Sequence, residues 1–333
     1  FINGKEPGAT MMIMGGIQGD EPGGYLAADL YADMRLEKGS LIVVPRTNFF
    51  SIRRNQRGVD GDLNRKFGGA RSAKDIDSNI IGILQSLMEK SDVLLNLHEG
   101  SGFYSPDSMS TLRNPSRYGQ SIIADASTYK RPDGKVIDLE TTVRRVLKDI
   151  NGNIRDTDHH FLFNNHNTLS ETTHHREQRK SATFHALTVV GIPAFGIETS
   201  KEISSIETKV RYQTLAINAF MKEFDIVPEH PSISLPTPEL DHLVINVVGN
   251  PVPFAVKNGS ALTVPPGTSI HITSIVANYE RGLSLDIIGA GNSNDLGRII
   301  TINSSTVIKV YKDAYLCGEV NVVASAAQTV SRK

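Results

Sequence analysis

The stretch Thr10-Met11-Met12-Ile13-Met14-Gly15-Gly16-Ile17-Gln18-Gly19-Asp20-Glu21-Pro22-Gly23-Gly24 decides the fold class. An apolar run over 10–17 ends in a glycine-rich polar tip, and Pro22 then stands at a first-turn position ahead of a helix through Leu26 and Leu30. A buried strand turning directly into a helix is the repeating unit of an α/β domain. Three more short apolar runs, Leu41 to Pro45, Val93 to Leu97 and Ala194 to Ile197, read as partner strands of a largely parallel sheet. Between them, Ile76, Ile80, Leu84 and Leu87 recur at helical spacing and predict a helix over 75–90. Ile203, Ile206, Val210, Ile217, Met221 and Phe224 predict a longer one.

That pattern stops at Pro228, Pro231, Pro236 and Pro238, a stretch that holds neither a helix nor a central strand. Beyond it the residues alternate, as in Ser269-Ile270-His271-Ile272-Thr273 and Leu283-Ser284-Leu285-Asp286-Ile287, which predicts a small all-β domain. The expected organisation is an α/β domain over 1–227, a linker over 228–240 and a β domain over 241–333. Gly289 to Gly297 is glycine-rich, but no Lys-Ser or Lys-Thr follows and no helix opens there, so it reads as a hairpin loop and not a phosphate cradle.

Of the 333 residues, 39% are apolar and 21% charged, enough to bury a core in two units. Lys and Arg number 35 against 36 Asp and Glu, giving a net charge of −1 and no global field to recruit nucleic acid or anionic lipid. No apolar run approaches the ~18 residues of a membrane span. Cys317 is alone, which leaves no disulfide framework and suggests a small buried apolar side chain. The opening Phe1, without a leader, fits a processed secretory protein or a trimmed chain.

Three predicted strands end in polar residues: Gln18-Gly19-Asp20-Glu21, His98-Glu99-Gly100 and Glu198-Thr199. The carboxyl ends of strands frame the crevice in an open α/β sheet, so these tips are expected to converge. Gln18, Glu21 and His98 would then offer an amide oxygen, a carboxylate and an imidazole to one divalent metal, with a position left for water. The plainer alternatives are helix caps for Gln18 and Glu21 and a hydrogen-bonded core residue for His98. His159, His160, His166, His174 and His175 crowd one polar segment, read first as a solvated loop or helix face and second as a rim over the site or an adventitious metal binder.

Taken in order, Gly15 to Gly24, Asp62-Leu63-Asn64-Arg65, Asn96-Leu97-His98 and Phe195-Gly196-Ile197-Glu198 resemble the zinc metallocarboxypeptidases related to carboxypeptidase A, over about residues 9 to 225. The resemblance implies a mixed, largely parallel sheet with helices on both faces. It makes Gln18, Glu21 and His98 the ligands of one zinc ion, Asn64 and Arg65 the clamp on the substrate's terminal carboxylate, and Glu198 the general base. Arg57 becomes the group that stabilises the oxyanion, with Arg54 the competing choice. Gln18 stands where the family ordinarily has His, and Lys66 stands where many relatives have a second Asn. Gln-x-x-Glu, with a β domain behind it, resembles a narrower branch: the cell-shape-determining peptidoglycan D,L-carboxypeptidases of helical Gram-negative bacteria. This implies a periplasmic enzyme that trims tripeptide stems of muropeptides to dipeptides by releasing meso-diaminopimelate. An N-acyl amino acid deacylase of the same wider group and a metal-free muropeptide-binding protein are the alternatives.

Overall fold

The structure, a computed structural model, describes residues 1–69, 75–230 and 237–325. It divides into two compact units, Phe1–Leu235 and Pro236–Lys333. The division falls within the anticipated linker, of which 231–236, including Pro231 and Pro236, lie outside the described residues. Pro228, expected in that linker, is instead part of a two-residue edge strand, Val227–Pro228, where a missing N–H is tolerated.

The first unit is built on an eight-stranded sheet. Its main elements are β1 (Glu6–Met14), α1 (Pro22–Tyr31), β2 (Leu36–Val44), α2 (Ile76–Met88), β3 (Val93–Gly100), β4 (Ser121–Ala124), α3 (Leu139–Asn151), β5 (Leu162–Asn165), β6 (Ala194–Ser200) and α4 (Ile206–Glu223). The spatial order is β2-β1-β3-β6-β4-β5, with Ile2–Asn3 and Val227–Pro228 on the outer edge of β2. All these neighbours run parallel except β6 and β4, so the sheet is mixed and largely parallel.

Both faces are covered. On one, Met12, Met14, Leu94 and Ala194 pack with Ile81, Leu84 and Met88 of α2 and with Ala182 and Ala186. On the other, Phe195 meets Phe220 of α4 at 4.8 Å between ring centroids. A Cβ on Gly24 would stand 2.9 Å from the Leu97 carbonyl oxygen, so glycine is what lets α1 lie against β3. Asp75 starts α2 by accepting from the backbone N–H groups of Asp77 and Ser78. The buried stripe of α2 is turned by about one residue from the expected one: Ile81, Leu84 and Met88 are buried, Ile80 and Leu87 flank them, and Ile76 in the first turn is exposed. Val210, Ile217 and Met221 of α4 are buried as its period required.

The second unit consists of two four-stranded sheets. Leu243, Ile245, Ile270 and Ile272 from one and Leu285, Ile287, Ile308 and Val310 from the other form a single core, which Cys317 joins as a buried apolar side chain. The glycine-rich loop is not a hairpin. The strands it joins, Leu283–Ile287 and Ile299–Ile302, belong to different sheets, so the loop crosses between them. It is organised around Asp295, fully buried, whose carboxylate accepts from the N–H groups of Ile287 and Asn292 at 3.0 Å. The loop's own carboxylate thus takes the amides that a phosphate cradle would need free. Asp295→Ala should strip these buried donors of their partner and lower the stability of this unit by about 2 kcal/mol or more, read as a shift in its urea midpoint.

Candidate active site

The three strand tips converge as expected on a cavity of about 270 Å³. Gln18, Glu21, Arg57, Asn64, Arg65, His98 and Glu198, all singled out in the sequence, line it. Arg54, exposed at the end of the short helix Phe49–Arg53, is not among the lining residues.

Gln18 and Glu21 lie on the tight path between β1 and α1. A Cβ on Gly19 would fall 2.0 Å from the Ser51 backbone, so only glycine fits where this turn meets the Phe49–Arg53 helix. Glu21 occupies the N-cap position of α1 yet makes no capping bond with its side chain. Its carboxylate turns inward instead: Oε2 lies 2.9 Å from His98 Nδ1 and accepts from Glu99 N–H at 3.2 Å. Gln18 Oε1 is 3.1 Å from the same His98 Nδ1. Its Nε2 faces away and donates to both carboxylate oxygens of Asp62 at 2.9 Å. Gln18, Glu21 and His98 are all buried.

The turn Leu63–Arg65 begins at Asp62, whose carboxylate caps it by accepting from Asn64 N–H at 2.9 Å. Asn64 Oδ1 accepts from Ala182 N–H at 3.0 Å, and its Nδ2 stands 3.4 Å from His98 Nε2. Arg57 is half-exposed and held by Asp62, with Nε at 3.1 Å and a terminal nitrogen at 2.9 Å from Oδ2, and it also approaches Glu21 Oε1 at 3.4 Å. Arg65 bonds the Asn64 carbonyl and faces the cavity.

Glu198 is the register partner of His98 across β3 and β6. Burial pushes its carboxyl up to about 7, with Glu21 adding to the effect and His98, Arg57 and Lys201 opposing it. A Cβ on Gly100 would fall 2.1 Å from Glu198 Oε2, so glycine at the end of β3 leaves room for that carboxylate.

The residues that would hold a metal can be tested against this geometry. Two oxygens of different charge each lie within 3.1 Å of one imidazole nitrogen, and the Gln18 amide is fixed with its oxygen inward. That donor set suits a borderline divalent cation such as zinc. Among the described residues no group of three or more His, Cys, Asp or Glu side chains is placed to hold a metal ion, and here the third donor is an amide. The residues fit.

Lys201, Asp62, Asn96, Gly196 and Thr183 belong to or support the site but were not assigned roles from the sequence. Asp62 and Asn96 were within reach, each lying inside a quoted motif. Lys201 carried no signal beyond standing three residues after Glu198.

Residues 2–245 match a family model described as "Carboxypeptidase controlling helical cell shape catalytic". The chain belongs to that family. Its fold is also that of the cell shape determinant Csd4 of Helicobacter pylori. The tripeptide-bound form aligns at 22% identity and TM-score 0.59 over 96% of both chains. The mDAP-bound form of Csd4, a D,L-carboxypeptidase, aligns at 23% identity and TM-score 0.60 over 96% of this chain and 97% of that one. No curated protein matches the chain. Family and fold are those of metal-dependent carboxypeptidases.

The histidine-rich segment departs from the solvated reading at its centre. His174 and His175 are exposed, but His166 is buried with its ring stacked on His175 at 3.9 Å and 8°. His159 stacks on Phe103 at 5.0 Å and lies 3.0 Å from the Tyr212 hydroxyl. Burial, then the neighbouring His175 and Arg65, lowers His166 from 6.5 to about 3. The unfolded chain therefore takes up a proton near pH 6.5 that the folded chain refuses until about 3. The stability this contributes is complete above about pH 6.5 and is lost as pH falls from there towards 3. Thermal midpoints measured across that window should fall less steeply in His166→Asn than in the parent.

Proposed function

We propose that the chain is a zinc-dependent D,L-carboxypeptidase that releases meso-diaminopimelate from the tripeptide stems of peptidoglycan, and so acts in the periplasm on muropeptides and influences cell shape. The observation that carries this reading is the single cavity joining Gln18, Glu21 and His98 to Glu198, Arg57 and Arg65. Family membership supports the peptidase chemistry, and the tripeptide and mDAP bound by Csd4 support the substrate.

Gln18 Oε1, Glu21 Oε2 and His98 Nδ1 would hold the metal. When bound, it supplies Lewis acidity toward a water molecule and the scissile carbonyl. The remaining work falls to the chain's own side chains. Glu198, with its carboxyl raised to about 7, is matched to accept the water's proton near neutral pH and to return it to the leaving amine. Arg57, anchored through Asp62, keeps a guanidinium edge at the cavity to stabilise the developing oxyanion. Arg65 presents a planar fork to the terminal carboxylate, and Asn64, with its oxygen committed to Ala182, adds a donor through Nδ2. No helix among the described residues is long and apolar enough to cross a membrane.

Glu198→Gln should lower turnover by about 10²-fold to 10⁴-fold with zinc content unchanged, because the residue moves a proton and is not a ligand. Turnover within a few-fold of the parent would remove Glu198 from the chemistry. On defined muropeptides, the enzyme should release diaminopimelate from tripeptides and act weakly on tetrapeptides, whose extra D-Ala carries the terminal carboxylate past Arg65. Efficient conversion of tetrapeptides, or release of an acyl acid from N-acyl amino acids in its place, would overturn the substrate assignment.

A further inference from the structure

The sheet register extends the cavity one rung below the catalytic residues. His98, Glu198 and Ser121 are aligned across β3, β6 and β4, and the next rung on the same face is Asn96, Gly196 and Ile123. The rung below that, Leu94 and Ala194, belongs to the core. Asn96 is therefore the last polar side chain before the apolar interior. It is fully buried and lines the cavity, yet neither its Oδ1 nor its Nδ2 has a hydrogen-bond partner among the described residues.

A buried amide with both ends unpaired is destabilising, and native structures keep few of them. Beside it stands Gly196, a glycine inside a central strand, which weakens the strand and often marks a site where a ligand comes close. A Cβ at that position would meet Ile123 Cβ at 3.4 Å and project into the floor. Ile123 is the one aliphatic side chain among the lining residues, so the floor offers little to an apolar ligand group.

We infer that Asn96 is a specificity-determining residue that reads the far end of the side chain being released, selecting one that carries both a donor and an acceptor. This rests on the carboxypeptidase reading of the cavity. With the terminal carboxylate at Arg65, the residue's side chain enters over Gly196, and an ammonium and a carboxylate at its tip pair with Asn96 Oδ1 and Nδ2. An aliphatic tip leaves both amide atoms unpaired, which is how a polar site rejects an apolar analogue.

The test compares kcat/KM of the parent and Asn96→Leu on two tripeptide stems, one ending in meso-diaminopimelate and one in norleucine, alongside zinc content and thermal midpoint. The parent should strongly prefer diaminopimelate. The variant should lose about 10²-fold or more on that peptide and much less on the norleucine peptide, with zinc retained. Equal losses on both peptides would mark Asn96 as merely structural and overturn the inference, as would an unchanged preference. Asn96→Ser, shorter but still polar, carries the comparison if the leucine variant does not fold, and a preference equal to the parent's would again overturn it. Calorimetric titration with free diaminopimelate separates the two levels of the argument. Asn96-dependent binding without cleavage of either peptide would leave this inference standing and remove the hydrolase reading, whereas no binding and no cleavage would remove both.

Discussion

A primary amide has an accepting end and a donating end, and Gln18 can serve a cation only through the first. The carboxylate of Asp62 imposes that choice, because it accepts from Gln18 Nε2 with both oxygens and leaves Oε1 pointing at His98. The same carboxylate anchors Arg57 and caps the turn that carries Asn64 and Arg65. Burial works against its ionisation, but the hydrogen bond from Gln18 and the charges of Arg57 and Arg65 outweigh it and hold Asp62 below the usual carboxylate range. One ionised group thus orients Gln18 and Arg57 and caps the turn of Asn64 and Arg65, the residues proposed as metal donor, oxyanion donor and carboxylate clamp. A glutamine has one more rotatable side-chain bond than a histidine, so a Gln ligand depends on such an anchor more than an imidazole would.

The opposite face of the sheet fixes the other half of the site. Strand alternation sends His98 into the cavity and its neighbour Glu99 the other way. There Glu99 accepts from Gly23 N–H at the start of α1 and from Lys209 of α4, each at 2.6 Å. Gln213, fully buried on α4, donates to the carbonyls of His98 and Ile197 at 2.8 and 3.2 Å. These bonds tie α1, β3, β6 and α4 together immediately behind Glu21, His98 and Glu198. Reactive side chains on packed strands and a pinned helix terminus stay closer to their working geometry than side chains on loops.

The strand tips were legible because their chemistry interrupts apolar runs: Gln18 and Glu21 after Met14, His98 after Leu97, Glu198 after Ile197. The ordering of four motifs then carried the family resemblance from which the proposed roles come, which no single residue could. What the sequence hid was mostly a matter of direction. Asn96 reads as one more strand residue until the register shows it on the same face as His98 and Glu198. The stripe on α2 was misplaced by about one residue because Ile76, Ile80, Ile81, Ile83, Leu84, Leu87 and Met88 offer two overlapping apolar faces, and only the sheet chooses between them. The loop at Gly289 to Gly297 resembled a hairpin because sequence adjacency cannot tell a turn within one sheet from a crossing between two. His166 lay in a polar segment but is buried through its stack on His175, a contact between residues nine apart that composition does not encode.

Ligand cavities are mostly apolar, with a few polar groups to set orientation, and this one reverses the proportion. Arg57, Arg65 and Lys201 bring three positive charges to its wall against Glu21, Glu99 and Glu198. Glu99 is already paired with Lys209, and the raised carboxyl of Glu198 is only partly ionised near neutral pH. Arg57 and Lys201 are likewise paired, with Asp62 and Asp20, so the wall is close to balanced before any metal is added, and a divalent cation would tilt it positive. Such a cavity gains little from hydrophobic burial and much from carboxylates on the ligand, so affinity should come from charge-assisted hydrogen bonds whose geometry the walls already fix. Selectivity then resides in where those carboxylates lie along the substrate. A stem peptide, with acidic groups on both sides of the scissile bond, meets that requirement in a way that a neutral C-terminal peptide does not.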